Sequence, residues 1–357
     1  MILNNDRMVS IMFTGAGAPQ AGTLIRKLRN NGDCACRLIA LDMNEEVIGH
    51  YWADAFYKIP QAGTPGYVGR IKEILAKEKP DALLNVSEND VPPLAAISDE
   101  IEAMGTKFIG PSAEAVAVLT NKRKLYDRFR DVPGVKVPEY ATPANLREFV
   151  DTAHAMGYPK RDLCFKPHQS KGTRGFRILT ESHSKRDLLL NHKPTARYMS
   201  LGEFVSIFEG DPDFPQLLLM EVVTGEEVDC MAVAHKGEAL LCTVKSRESH
   251  RWGVIDRGEL VRRPEIVAIM EKITSNLELS YNILFQFIGG YLIEMGPRTS
   301  SYIFADSFIE PWIAIKLGIG MMSPNEVRAL RTKIPYGRRM VRYMDQIFLA
   351  PDGSWSE

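Results

Sequence analysis

Two rhythms of apolar and polar positions run along this chain, and the change between them marks its organisation. In the first third, short apolar runs alternate with stretches of helical spacing. Residues 9–14 read as a buried strand, Gly15 and Gly17 as the turn after it, and 21–29 as a helix. Residues 36–41 predict a second strand, ending at Asp42. A helix at 67–78, a strand at 82–86, a helix at 92–104 and a short strand at 107–109 follow. Alternation of this kind predicts a parallel sheet. Its ligand crevice belongs at the carboxyl ends of the strands, near Gly15, Asp42 and the stretch 87–90.

Beyond residue 110 the rhythm turns to strands joined by glycine. A helix is expected at 113–130, an extended piece at 135–137 and a helix at 144–156. A short apolar run then ends at Lys166. A loop holding Gly172, Thr173 and Gly175 follows, and a second run covers 176–179. The segment 201–208 predicts a helix, with an acidic, proline-bearing loop after it at 209–215. The apolar run 217–220 turns acidic at Glu221, breaks at Gly225 and resumes as a strand. A strand at 238–246, a polar loop at 247–258, a helix at 264–277 and a last helix at 307–317 complete the pattern, before a basic tail.

The most informative stretch is FQFIGGYLIEMGPRTS, which begins at Phe285. Gln286 and Glu294 lie in two apolar runs on either side of Gly289-Gly290, and Arg298 follows just past a proline. This spelling predicts a hairpin. On it, Gln286 and Glu294 offer oxygen ligands to Mg²⁺, a hard cation that binds few protein oxygens and keeps substrate phosphates as its other ligands. An ordinary surface hairpin with a charged end fits the same letters.

Two further elements carry phosphate-type chemistry. Strand, glycine loop, strand around Lys166 lacks the helix start of a P-loop. A glycine hairpin can still fold over a triphosphate, with backbone N–H groups on the oxygens and a lysine as point charge. Around Glu221 and Val223 the chain reads as a hinge whose backbone suits an adenine edge. Glu227 suits ribose hydroxyls. A hairpin with solvated acids is the plainer reading of that segment. Arg247, His250 and Arg251 suit a carboxylate or phosphate, as would any solvated loop. Glu88 and Asp90 suit an acceptor substrate, or the capping of the helix that follows.

Composition narrows the class. With 357 residues, 45% hydrophobic and 25% charged, the chain has material for two or three globular domains. A net charge of -1 gives no global field for nucleic acid or membrane, so neither is an expected partner. Five cysteines (Cys34, Cys36, Cys164, Cys230 and Cys242) form no CxxC pair, which predicts reduced thiols and a cytoplasmic address. The seven histidines show no zinc spacing, so zinc is not expected. GAGAPQ invites a dinucleotide reading, with Asp42 as the ribose acid. But Gln20 stands where the third glycine belongs, and that reading explains nothing after residue 110.

Together these pieces, with the segments 9–28, 41–60, 79–91, 108–129 and 135–140, resemble the ATP-grasp superfamily over roughly residues 8–320. The carbamoyl-phosphate-synthetase large-subunit-like and carboxylate–amine ligase members are the most similar. The resemblance implies an α/β fold (α+β in the C-terminal part), with a Rossmann-like pre-ATP-grasp domain at 1–112. A two-lobed ATP-grasp domain at 113–320 would follow, its lid at about 140–215, and then a basic extension at 321–357. It implies that Lys122 and Lys166 bind phosphate, and that Ser170, Lys171, Gly172, Thr173 and Gly175 form the lid loop. Glu221 and Val223 would hold adenine and Glu227 ribose. Gln286 and Glu294 would hold Mg²⁺, with Arg298 steadying the transferring phosphoryl group. One departure stands out: Gly296 replaces the asparagine that usually supports a second Mg²⁺, with Asp306 or Glu310 as substitutes.

The function implied is an ATP-dependent carboxylate–amine ligase that works through an acyl phosphate. ATP would bind between two lobes, and small-molecule carboxylate and amine substrates would react in turn. A homodimer through the N-terminal domain is the expected assembly. Two alternatives remain open: a carbamate or carboxylate kinase of carbamoyl-phosphate-synthetase type, and a nucleotide-binding accessory protein with weak catalysis.

Overall fold

The computed structural model describes residues 7–169, 174–193, 197–251, 254–300 and 308–356. The chain groups into two compact units. The first comprises Met1–Thr120, Glu227–Gln286 and Glu294–Glu357; the second comprises Asn121–Glu226 and Phe287–Ile293.

The first unit opens with the parallel sheet that the alternation predicts. Its strands are β1 (Val9–Thr14), β2 (Cys36–Asp42), β3 (Ala55–Lys58), β4 (Ala82–Asn85) and β5 (Lys107–Ile109), in the order β3-β2-β1-β4-β5. Every neighbouring pair is parallel. The apolar runs of β1 and β4 are buried almost throughout, as central parallel strands require. β3 and the helix Ile48–Trp52 before it are additions to the expected pattern. The expected helix at 92–104 is two helices, Val91–Ala96 and Ser98–Ala103, with Ile97 between them.

The second unit holds β6 (Tyr140–Ala141), β7 (Leu163–Pro167), β8 (Arg177–Leu179), β9 (Tyr198–Met199) and β10 (Leu217–Glu221), ordered β6-β10-β7-β8-β9. It begins where the expected helix at 113–130 divides. Ala113–Leu119 ends at Thr120, and the Asn121 side chain then accepts the Lys124 N–H and starts Lys122–Phe129. The core of this unit is aromatic. Phe149 stacks on Phe204 with centroids 4.0 Å apart, and Phe165 meets both edge-on. Phe149 sits on the helix Leu146–Ala155, capped by Asn145, and Phe204 on Leu201–Phe208, which carries a full Ser200–Glu203 capping box.

Returning to the first unit, the chain lays down β11 (Glu227–His235), β12 (Glu238–Ser246), β13 (Ser249–Arg251), β14 (Val254–Val261), β15 (Tyr281–Ile288) and β16 (Tyr291–Gly296), of which residues Phe287–Ile293 count with the second unit, and, near the end, β17 (Arg339–Val341). Their order is β13-β14-β12-β11-β15-β16, with β17 beside β14. The polar loop expected at 247–258 is therefore largely strand. In β14, Ile255, Gly258 and Leu260 are buried and their neighbours are not; the alternation changes phase between Ile255 and Gly258, where the pairing with β13 also shifts, so no continuous period-2 run shows among the charged letters. Val233, Leu241, Ile255 and Leu260 pack into one core with Phe13, Leu84 and Trp312. The helix Glu310–Gly318, which carries Trp312, is shorter at its start than the expected 307–317.

The turn between β15 and β16 is the predicted glycine hairpin. Gly289 and Gly290 have φ of +55° and +83°, both in the left-handed region that a two-residue turn of this hand demands. Any Cβ on Gly289 would lie 2.3 Å from the Thr224 carbonyl oxygen. The Gly289 N–H donates to the Glu226 carbonyl at 3.0 Å, which fastens this turn to the hinge.

Candidate functional site

In the second unit the two lysines occupy built positions. Lys122 and Lys166 are both buried. Lys122 opens its helix, and its N–H donates to the His168 carbonyl at 2.9 Å, which ties the helix start to the end of β7. Lys166 sits in β7. Its Nζ donates to Tyr126 Oη at 3.1 Å and to the Ile293 carbonyl at 3.4 Å, and it lies over the Tyr126 ring. Tyr126 in turn donates to the same Ile293 carbonyl at 2.7 Å. These contacts fix the direction in which the ammonium points. Burial pushes the nearby His168 imidazole below its ordinary range.

The hinge is partly occupied. The Glu221 carboxylate pairs with Arg161 at 2.5 Å and accepts the Glu139 N–H at 2.8 Å. The Glu221 N–H donates to the Glu139 carbonyl, and Cys164 Sγ donates to the Glu221 carbonyl at 3.4 Å. Glu221 is thus a strut of the sheet edge, which leaves Val223 as the hinge residue whose backbone has no hydrogen-bond partner among the described residues. Gly175 is described, with φ of +73° beside the Pro167 ring. Ser170, Lys171, Gly172 and Thr173 lie outside the described residues.

In the first unit, Glu227 stands at the start of β11 and Gln286 in β15, and the two strands are neighbours. Gln286 Nε2 donates to Glu227 Oε1 at 2.5 Å, and Arg247 pairs with the same oxygen at 3.1 Å. Arg247 also lies 3.5 Å from Asp229. Asp229 is buried, and burial pushes its carboxyl up, against the pull of Arg247, Lys245 and Arg298. Arg247 therefore orders acids within the sheet instead of waiting in a solvated loop. The side chains of His250 and Arg251 lie outside the described residues.

Glu294 is half-buried in β16. A regular ladder closed by a two-residue turn would turn Gln286 and Glu294 to opposite faces. Burial along β16 does not alternate: Ile293 and Glu294 are both half-buried, and Met295 and Gly296 are both buried. The strict period is broken at the residue assigned to the metal. Arg298 lies with Nε 3.6 Å from Glu88 Oε2, and its Nη1 donates to the Thr299 carbonyl. Glu88 thereby pairs with the arginine that was expected to steady the phosphoryl group.

Three candidates have other duties. Asp90 is buried and accepts the Tyr67 hydroxyl at 2.6 Å, and burial raises its carboxyl above the usual range. Its side chain makes no capping bond to the helix it precedes. Glu310 pairs with Lys245 at 2.6 Å, with the side chains 2% and 1% exposed, and accepts the Thr243 hydroxyl, so it does not replace the missing asparagine. Asp306 lies outside the described residues. Asp42 accepts the Gly17 and Asn44 N–H groups and so braces the glycine loop, which leaves the ribose-acid role without support. Beside that loop lies a cavity of about 1560 Å³, lined by Gly17, Arg26, Trp52, Asp256 and Arg342 among others.

The donor set suits Mg²⁺ by its chemistry. Gln286 and Glu294 offer oxygen only, and both are open enough for water and phosphate to complete the shell. As drawn, Gln286 turns its amide nitrogen to Glu227, so holding a cation requires the amide to swing its oxygen round. Sequence reasoning missed Tyr126, Arg161 and Asp229, because their roles come from partners distant along the chain.

The family described as PylC-like, N-terminal domain, matches residues 11–109. Among curated proteins no sequence matches. Solved structures are similar over most of the chain. The biotin carboxylase domain of Hydrogenobacter thermophilus 2-oxoglutarate carboxylase, crystallised with MgADP, ADP and bicarbonate, is 16% identical with a TM-score of 0.61, over 88% of this chain and 70% of that one. Biotin carboxylase from Campylobacter jejuni is 17% identical with a TM-score of 0.62, over 89% and 72%. N5-carboxyaminoimidazole synthetase from Staphylococcus aureus is 13% identical with a TM-score of 0.60, over 90% and 80%. The parallel-sheet domain, the lysine strand and the glycine hairpin thus belong to the fold of these enzymes, the ATP-grasp fold.

Proposed function

We propose that this chain is an ATP-dependent ligase that activates a small-molecule carboxylate as an acyl phosphate and joins it to an amine. The observation that carries the reading is the β15–β16 hairpin. On the fold of nucleotide-binding carboxylases and synthetases, it delivers Gln286 and Glu294 on adjacent strands and ends at Arg298 beside Glu88. Carboxylates are poor electrophiles at neutral pH, so attack of the carboxylate oxygen on the γ-phosphorus, with ADP leaving, is the step that needs help. The amine nitrogen then attacks the acyl carbon and phosphate departs.

The residues take these parts. Val223 presents backbone to the adenine, and Glu227 lies with the metal pair more than with a ribose, given its bond to Gln286. Lys122 and Lys166 neutralise phosphate charge, with Tyr126 holding the second lysine on line. Gln286 and Glu294 would hold Mg²⁺, which supplies charge neutralisation at the phosphates when bound. Arg298 stabilises charge growing on the transferred group. Glu88 sets Arg298 and leaves Asp90 to the fold. The carboxylate substrate is proposed near Glu88 and the end of β4; Arg247 serves the Glu227–Asp229 cluster. We also propose a cytoplasmic address; among the described residues no helix is long and apolar enough to cross a membrane.

The test is ADP release by the full chain with Mg·ATP against a panel of carboxylates and amino acids, with hydroxylamine as trap. Hydroxamate formation supports an acyl phosphate. ADP release and hydroxamate that do not depend on any amine favour the second reading, a carboxylate or carbamate kinase. Gly296 motivates that reading, because it gives no side chain to a second cation. Nucleotide binding with no ADP release on any substrate would sink the enzyme reading.

A further inference from the structure

In the second unit, well away in sequence from the lysine strand, His183, Asp187 and His192 bring three ligand-type atoms within 4.8 Å of one another. His183 Nδ1 lies 3.1 Å from Asp187 Oδ2, and His192 Nε2 lies 3.1 Å from the same oxygen. The rings meet edge to face, with centroids 4.9 Å apart, and Tyr198 packs on His183 at 4.4 Å. All three residues are partly open to solvent, so an ion has a way in.

Two of the three spacings are close to those of a coordination sphere, and the two imidazole nitrogens lie within 4.8 Å of each other. Zinc binds imidazole nitrogen and carboxylate oxygen at about 2.0–2.2 Å, so two ligands of one tetrahedral ion stand about 3.3–3.5 Å apart. Both nitrogen–oxygen separations are already within a few tenths of that value. Neutral imidazoles with a carboxylate suit zinc and its neighbours, whereas Mg²⁺ prefers oxygen alone. Asn191 donates to the other carboxylate oxygen at 2.8 Å, which orients the carboxylate as an outer-shell partner would.

A second, separate observation concerns the helix inside the cluster. Lys185–Asn191 has seven residues and buries none of them; Leu189 is 81% exposed. Isolated helices of this length do not hold themselves in water. His183 precedes the Ser184 N-cap and His192 is the C-cap, so one ion would fasten both ends. The spacing H-x3-D-x4-H falls outside the usual zinc signatures, which is why the letters alone do not reveal it.

We propose that His183, Asp187 and His192 form a structural site for a zinc-class divalent ion, with water as fourth ligand, which staples the Lys185–Asn191 helix. The ion is distinct from any Mg²⁺ that accompanies nucleotide. It acts through Nδ1 of His183, Nε2 of His192 and Oδ2 of Asp187.

The test titrates the full-length chain with Zn²⁺ alone by calorimetry, and with Co²⁺ for its visible absorption, in wild type and in His183→Ala, His192→Ala and Asp187→Asn. The site predicts one bound equivalent in wild type, with cobalt bands free of thiolate charge transfer. Each variant should weaken that equivalent about tenfold or more. Circular dichroism checks that the variants fold. Hydrogen exchange over 185–191 should slow on adding zinc to wild type and stay unchanged in the variants. Wild type that takes up no zinc overturns the proposal. So do variants that bind it as tightly, and a cobalt spectrum dominated by thiolate, which would put the ion on cysteine.

Discussion

Arg298 and Glu88 meet in the first unit, the guanidinium Nε 3.6 Å from the carboxylate, although one follows the glycine hairpin and the other follows a strand of the parallel sheet. The contact gives the N-terminal sheet a share in the chemistry assigned to Arg298. Removing Arg298 takes away a charge meant for the transition state, and Arg298→Ala should lower ADP release by about 10²–10³-fold. Glu88→Ala should cost about 10²-fold by misplacing the arginine, with the KM for ATP little changed. Steady-state kinetics of both variants check this. Full activity in Glu88→Ala would show that Arg298 is positioned by other means.

Glu294 is the acid of the proposed metal pair, and Gln286 can offer only a neutral oxygen. Glu294→Ala should therefore abolish turnover with Mg·ATP, while Gln286→Ala should leave a residue of activity that rises with added Mg²⁺. A magnesium titration of ADP release separates the two. Because a regular ladder would turn Glu294 away from Gln286, equal magnesium dependence in wild type and Glu294→Ala would mean that the break in alternation at β16 does not bring this acid to the cation.

Gly296 has room for a side chain at its first atom. A Cβ there would meet Leu284 at 3.5 and 3.6 Å, ordinary contact distances, and its φ lies outside the left-handed region. Gly296→Asn should fold with the wild-type melting temperature, and the new amide should hold or raise affinity for Mg²⁺. Thermal unfolding and the same magnesium titration check it. Collapse of activity with the fold intact would show that this site does without the amide for a reason of its own.

Much of this was legible from the letters. The parallel sheet announced itself because its strands are continuous apolar runs, and β1, β5 and the helices Ala21–Arg29 and Tyr67–Glu78 begin and end where the pattern says. The glycine hairpin was legible because Gly289-Gly290 admits few other conformations. What stayed hidden depends on pairing. The loop expected at 247–258 became β13 and β14 because neighbouring strands gave its charged residues partners. The helix division at Asn121 needed its capping bond to be seen. Arg247 looked like an acceptor-site residue, yet its partners Glu227 and Asp229 lie across a strand pair, as does the bond from Gln286, 59 positions away from Glu227. Residue type told what chemistry was available, and only the register told which groups are already engaged.

Lys245 and Glu310 test that last point in stability. Their ion pair at 2.6 Å is almost wholly removed from water. Removing one partner takes a counter-charge from the buried group that remains, so Lys245→Met or Glu310→Leu should each cost about 3–5 kcal/mol. Replacing both should recover most of the loss, because an apolar pair carries no desolvation penalty. Urea unfolding of the two single variants and the double variant completes the cycle. Additive losses in the double variant would show that the two groups are stabilised independently, which would return Glu310 to the set of available acids.

The thiols make the final prediction. Burial pushes Cys164 up to about 11 and Cys242 and Cys36 up to about 12, from an ordinary value of 9.0. The folded state thus holds these protons more tightly than the unfolded chain does. The linked stability is complete below pH 9 and is lost as pH rises towards 11–12. Thiolate is the reacting form, so Ellman's reagent at pH 8 should label the native protein slowly, and all five cysteines should react once it is unfolded. Raising the pH of the native protein towards 10 should speed labelling of these thiols by about tenfold per pH unit, whereas the rate for a free thiol levels off as its ionisation nears completion. A rapid native burst at pH 8 from Cys164 would show that the sheet around Lys166 opens more readily than its buried core allows.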